Sequence, residues 1–88
     1  MKNILLDFSL VFNKASAHSY VASKLSFPRW YGRNFDALND CLWEIGECTL
    51  VLRNVEKLNE IDETFLEVFK RNEKENKNLS LVILDEGQ

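Results

Sequence analysis

Three short apolar runs constrain what this chain can fold into more than any other feature. Residues 4–8, 50–53 and 79–84 each have the length and composition of a β-strand. The intervals between them carry helical spacing. In residues 14–25, Ala17, His18, Val21 and Leu25 fall on one side, and Asn13 or Ser16 stands where a cap belongs. Ser26, Phe27 and Pro28 end that helix, because the residue before a proline is pushed out of the α region. Residues 34–45 form a second helix with Gly46 as its stop. Residues 55–60 form a short extra turn, and residues 61–75 a further helix whose core stripe is Ile61, Phe65, Val68 and Phe69.

The order strand, two helices, strand, helix, strand calls for parallel strands joined by crossovers, which are almost always right-handed. Strands laid in sequence order then place their helices on the same side. The expected fold is a two-layer α/β domain, a three-stranded parallel sheet with three to four helices packed mainly on one face. With 88 residues, 45% of them hydrophobic and 28% charged, a single domain over residues 1–88 has enough apolar material for its own core.

The second helix carries more than stability requires. Stepping 100° per residue gathers Phe35, Leu38, Cys41, Leu42 and Ile45 into an apolar stripe. Asp36, Asn39, Asp40 and Trp43 fall opposite. Each has an ordinary explanation beside a functional one. Asp36 lies two residues past Asn34, the expected N-cap, where the helix dipole favours an acid. Asp40 is beyond that help and one turn from a like charge, which costs a few tenths of a kcal/mol. Trp43 either packs onto a neighbouring element or is offered to a partner. Upstream, Trp30, Tyr31 and Gly32 read as a turn that covers the core or as part of a binding surface, with Gly32 supplying a positive φ.

The formal charge of −3 is unevenly spread: residues 1–29 balance at +3 and residues 30–48 at −3. An acidic patch repels phosphates, so direct nucleic-acid binding is disfavoured and a basic protein partner is favoured. The two cysteines, Cys41 and Cys48, fit neither a zinc pattern nor a redox pair and read as thiols. His18 is the single histidine and falls on an inner stripe, and there is no Gly-rich phosphate loop. The expectation is therefore a non-enzyme with no catalytic residues, cofactor or metal. The apolar run after Met1 closes at Asp7, too short for a secretory segment or a membrane span, so a cytoplasmic location is expected.

Pro28, Trp30, Tyr31, Gly32, Asn34, Asp36, Ala37, Leu38, Asp40 and Leu42 together resemble the signature of the barstar family, intracellular inhibitors of barnase-type secreted ribonucleases. Phe69 and the late strand extend the resemblance over essentially the whole chain. It implies a barstar-like fold whose second helix and preceding loop plug a ribonuclease active site. By motif position, Asp40 would be the main phosphate mimic and Asp36 a second partner for an enzyme arginine. Trp30, standing where the family usually has tyrosine, would cover the catalytic histidine. Tyr31, Gly32 and Asn34 would shape and cap the loop. The resemblance also implies departures: Asn39 and Ile45 replace tryptophans near the interface, Trp43 compensates from one turn along, and Arg71 reverses the charge of an interface glutamate. Glu67 is placed to neutralise Arg71 at i,i+4. The implied partner is a basic, extracellular-type ribonuclease in a 1:1 complex, with no membrane involved. The other reading is an acidic interaction module for a basic partner that is not a ribonuclease.

Overall fold

The computed structural model describes residues 2–84. The elements run β1 (Lys2–Asp7), a 3-10 turn (Phe8–Leu10), α1 (Lys14–Leu25), α2 (Phe35–Glu44), β2 (Cys48–Arg53), α3 (Val55–Asp62), α4 (Thr64–Glu75) and β3 (Leu79–Ile83). The three strands are parallel and lie in the order β1-β2-β3. Sequence order, parallel pairing and right-handed crossovers leave one sheet face for the helices, as the sequence implied. Alternation along the strands agrees. Leu6, Cys48, Leu50, Leu52 and Leu79 are buried beneath the helices. The register aligns Leu5, Val51 and Val82 on the opposite face, where Leu5 and Val82 are exposed.

Local chemistry fixes the helix ends. Asn13 and Ser16 are both part of the α1 cap: the Ser16 N–H donates to Asn13 Oδ1 (2.8 Å) and the Asn13 N–H donates to Ser16 Oγ (3.0 Å), a reciprocal capping box. α1 ends with Ser26 in the left-handed region at φ 56°, and the Phe27 N–H closes on the Ala22 carbonyl at 2.9 Å. α2 is capped by Asn34, whose Oδ1 accepts the Ala37 N–H at 2.8 Å, and Gly46 at φ 80° follows its end.

Several boundaries differ from the sequence reading. β1 starts at Lys2 and stops at Asp7, because the Asp7 carboxylate takes the Ser9 N–H and hydroxyl and turns Phe8 out of the strand. β2 begins at Cys48, where pairing with Lys2 and Leu79 carries the ladder past the apolar run. The expected short turn at 55–60 is a full helix, and the expected helix at 61–75 is broken before Thr64. Asp62 makes that break. Its Oδ1 accepts the Thr64 N–H at 2.9 Å while its Oδ2 pairs with Lys14 Nζ at 3.2 Å, so the side chain replaces a helical backbone partner.

The core lies between the sheet and the helices, centred on Phe8, Phe65, Phe69, Leu38, Leu42, Leu50, Leu52 and Leu58, none exposed. Phe65 is its hub near the start of α2, with its ring centroid 4.9 Å from that of Phe35 and 4.6 Å from that of His18. Burial of residues such as Leu38 and Leu42 contributes about 1.5–3 kcal/mol each and holds α2 in place.

Candidate functional site

α2 presents one face inward and one outward. Leu38, Cys41 and Leu42 are buried and Phe35 and Ile45 pack at the core margin, which is the apolar stripe read from the sequence. Asp36, Asp40, Trp43 and Glu44 are exposed. Asp36, Asp40 and Glu44 stand in an i, i+4, i+8 column, and among the described residues none of the three carboxylates has an ion pair or a hydrogen bond. Their negative field reaches the core side of the helix. The Cys41 thiol is pushed up first by burial and then by Glu44 and Asp40. Like charges stacked one turn apart oppose folding slightly, so the column is costly to an isolated domain.

The loop before α2 divides its aromatics. Trp30 is 64% exposed and Trp43, one face along on the helix, is 45% exposed. Neither is packed down. Tyr31 points the other way: it is buried, its hydroxyl lies 2.7 Å from His18 Nδ1, and its ring packs 5.0 Å from that of Phe27. Burial, followed by the nearby Cys41, pushes the Tyr31 phenol up to about 12, so it remains protonated and hydrogen-bonded at any physiological pH. His18 therefore pins the loop from beneath. Its own imidazole is held below its ordinary value by burial, with Lys14 and Arg33 adding to the effect and Asp62 opposing it. His18 Nε2 is buried without a partner, against the rings of Phe35 and Phe65.

The expected positive φ at Gly32 is not there. Arg33 takes the left-handed conformation instead, at φ 53°. Gly32 makes room in a different way: a Cβ on it would lie 2.9 Å from Asn34 Nδ2 and force a shift of that side chain, whose amide donates to the Gly32 carbonyl while its oxygen caps α2. Asn39, placed opposite the core on the helical wheel, is half-buried and turned toward α4. Asn72 Nδ2 donates to its Oδ1 at 2.9 Å. The wheel fails here because α4 packs along the flank of α2, not only beneath it. Arg71 is exposed on α4 and has no ion pair among the described residues, so the expected pairing with Glu67 does not form.

Asn72 and Asn76 were not read as significant in the sequence, and both are buried between α4 and α2. Their signal was available: two asparagines one turn apart in phase with Phe65, Val68 and Phe69 must find polar partners inside. Among the described residues there is no group of three or more His, Cys, Asp or Glu side chains able to hold a metal ion, and no helix long and apolar enough to cross a membrane.

The fold and site together are a small parallel α/β scaffold whose second helix exposes acids without ion pairs among the described residues, alongside the exposed Trp30 and Trp43. The family comparison is specific. The model of the family described as "Barstar (barnase inhibitor)" matches residues 1–85, and the chain belongs to that family. It is also 44% identical over 61 residues to a protein of Bacillus subtilis (strain 168) named "Putative ribonuclease inhibitor YrdF", the match covering 67% of each chain.

Proposed function

We propose that this chain is the inhibitor of a secreted, barnase-like ribonuclease, that it binds the enzyme 1:1, and that its acidic helix occupies the enzyme's RNA-binding cleft. The observation that carries the reading is the column Asp36, Asp40 and Glu44, exposed and without partners in the described residues. Family membership and the name of the relative support a ribonuclease as the partner. In this reading Asp40, on the middle turn of α2, takes the place of an RNA phosphate against enzyme arginines, and Asp36 pairs with a second cation. Carboxylates suit the role because bidentate pairing to guanidinium groups is strong once water is excluded. Trp30 and Trp43 flank the charges and close the rim, and Tyr31, Gly32 and Asn34 hold the loop and helix start in shape. The charge column steers encounter with a basic enzyme before contact.

Asp40→Ala and Asp36→Ala test this directly. Each is expected to weaken binding to barnase by about 2–5 kcal/mol, as removal of one member of a buried charge pair does, with an unchanged circular dichroism spectrum. Loss of binding together with loss of fold would contradict the reading. A tight basic partner that is not a nuclease, captured through the same residues, would leave the surface assignment standing and replace the partner.

A further inference from the structure

A chain of three asparagine amides crosses from the α4–β3 turn to the outer face of α2, and its polarity is set at its buried end. The Asn78 N–H, which can only donate, bonds to Asn76 Oδ1 at 3.0 Å. This turns the Asn76 NH2 the other way, where it donates to the Leu42 carbonyl (3.4 Å) and to Asn72 Oδ1 (3.0 Å). With its oxygen occupied, Asn72 directs its own NH2 at Asn39, donating to the backbone carbonyl (3.2 Å) and to Oδ1 (2.9 Å). The Leu42 and Asn39 carbonyls can only accept, so they fix the same direction independently. Reversing any one amide would set donor against donor or oxygen against oxygen in a place where Asn72 is 0% and Asn76 2% exposed.

The outer end of the chain is the NH2 of Asn39. It has no hydrogen-bond partner among the described residues and is not one of the buried unpartnered atoms, so it meets solvent. Asp36 is three residues before it, Asp40 one after and Trp43 four after. We infer that Asn72 and Asn76 are positioning residues that hold the Asn39 NH2 as an uncharged donor in the acidic stretch that includes Asp36 and Asp40, and that the bound enzyme meets it with an acceptor. This rests on the assignment of the α2 face as the inhibitory surface. Charge alone would favour an acid at position 39, and the buried network would tolerate one, since the inner oxygen of an aspartate still accepts from Asn72. The donor is therefore a specificity element that bulk electrostatics does not demand.

Titration of barnase activity with variants built from four substitutions separates the possibilities. Asn39→Asp is nearly isosteric and adds the charge that a basic enzyme attracts, yet it is expected to weaken inhibition about tenfold or more, because two acceptors then face each other. Asn72→Ala is expected to weaken inhibition in the wild-type background and to cause no further loss when combined with Asn39→Ala. A purely structural role for Asn72 predicts the same loss in both backgrounds. Inhibition by Asn39→Asp that is unchanged or tighter, while Asp40→Ala still weakens it, overturns the inference and leaves the inhibitory surface intact. A wild-type chain inert toward barnase overturns barnase as the partner and leaves the α2 face to be tested on another, and amide hydrogen exchange of the free protein then decides the orientation of Asn39. Side-chain NH2 groups protected at Asn72 and Asn76 but freely exchanging at Asn39 support it, and protection at Asn39 contradicts it.

Discussion

Trp30 and Tyr31 are adjacent and face opposite ways, and the contrast shows how the site is built residue by residue. Tyr31 commits its ring and hydroxyl to the interior through His18, while Trp30 is left outside and largely exposed. Composition places both aromatics near the acidic helix but cannot sort them, since only the buried His18 distinguishes the inward from the outward member. The acids were legible because helical spacing alone separates Asp36 and Asp40 from Leu38 and Leu42. Asn39 was not, because its orientation depends on Asn72, a residue 33 positions away. Gly32 shows the same limit: a glycine before a helix suggests a positive φ, whereas here it makes room for the Asn34 side chain. Gly32→Ala is expected to displace that cap and cost about 1 kcal/mol, the usual value of an asparagine N-cap, measured as a shift in the urea unfolding midpoint. An unchanged midpoint would mean the cap survives the added methyl.

At the scale of elements, α1 and α2 could be read from sequence because their caps are local, with Asn13, Ser16 and Asn34 all acting within three residues. The boundary between α3 and α4 could not. The apolar periodicity runs through it, and the break follows from Asp62 meeting both the Thr64 N–H and Lys14, the latter from a distant helix. Lys14 also lies 5.1 Å from the centre of the Phe35 ring, so one cation links the start of α1 to α3 and to the first residue of the candidate binding helix. The end of α1 is strained for its sequence, with a serine in the left-handed region. A non-glycine residue there costs roughly 1–2 kcal/mol, partly offset by the greater chain entropy of glycine. Ser26→Gly is accordingly expected to stabilise the domain by up to about 1 kcal/mol in equilibrium denaturation. It leaves the outer face of α2 untouched, so affinity for the proposed partner should not change.

For the whole molecule, acid stability follows from groups whose ordinary values are moved by folding. The folded imidazole of His18 lies below 6.5, so the unfolded chain takes up that proton first. Stability is then full above about 6.5 and declines as the pH falls below it. Asp7, held down mainly by its hydrogen bonds from Asn54 and Ser9, and Asp62, held down by the Thr64 N–H, act the same way from 3.8 downward. Two stages of acid loss are expected in thermal unfolding followed against pH, and His18→Gln should remove the upper one. A wild-type profile flat between pH 7 and 5 would contradict the assignment. Function and stability pull apart in the proposed reading: the sheet and core are built from local periodicity, while the acidic column is tolerated by the fold and has its proposed use only in a complex. The most direct test of that claim is a titration of barnase ribonuclease activity with the chain and with Asp40→Ala, at low and at high salt. The account predicts stoichiometric 1:1 inhibition that high salt slows and that Asp40→Ala weakens severely. Equal inhibition by the wild type and by Asp40→Ala, at a rate insensitive to salt, would show that the acidic face of α2 is not what enters the enzyme.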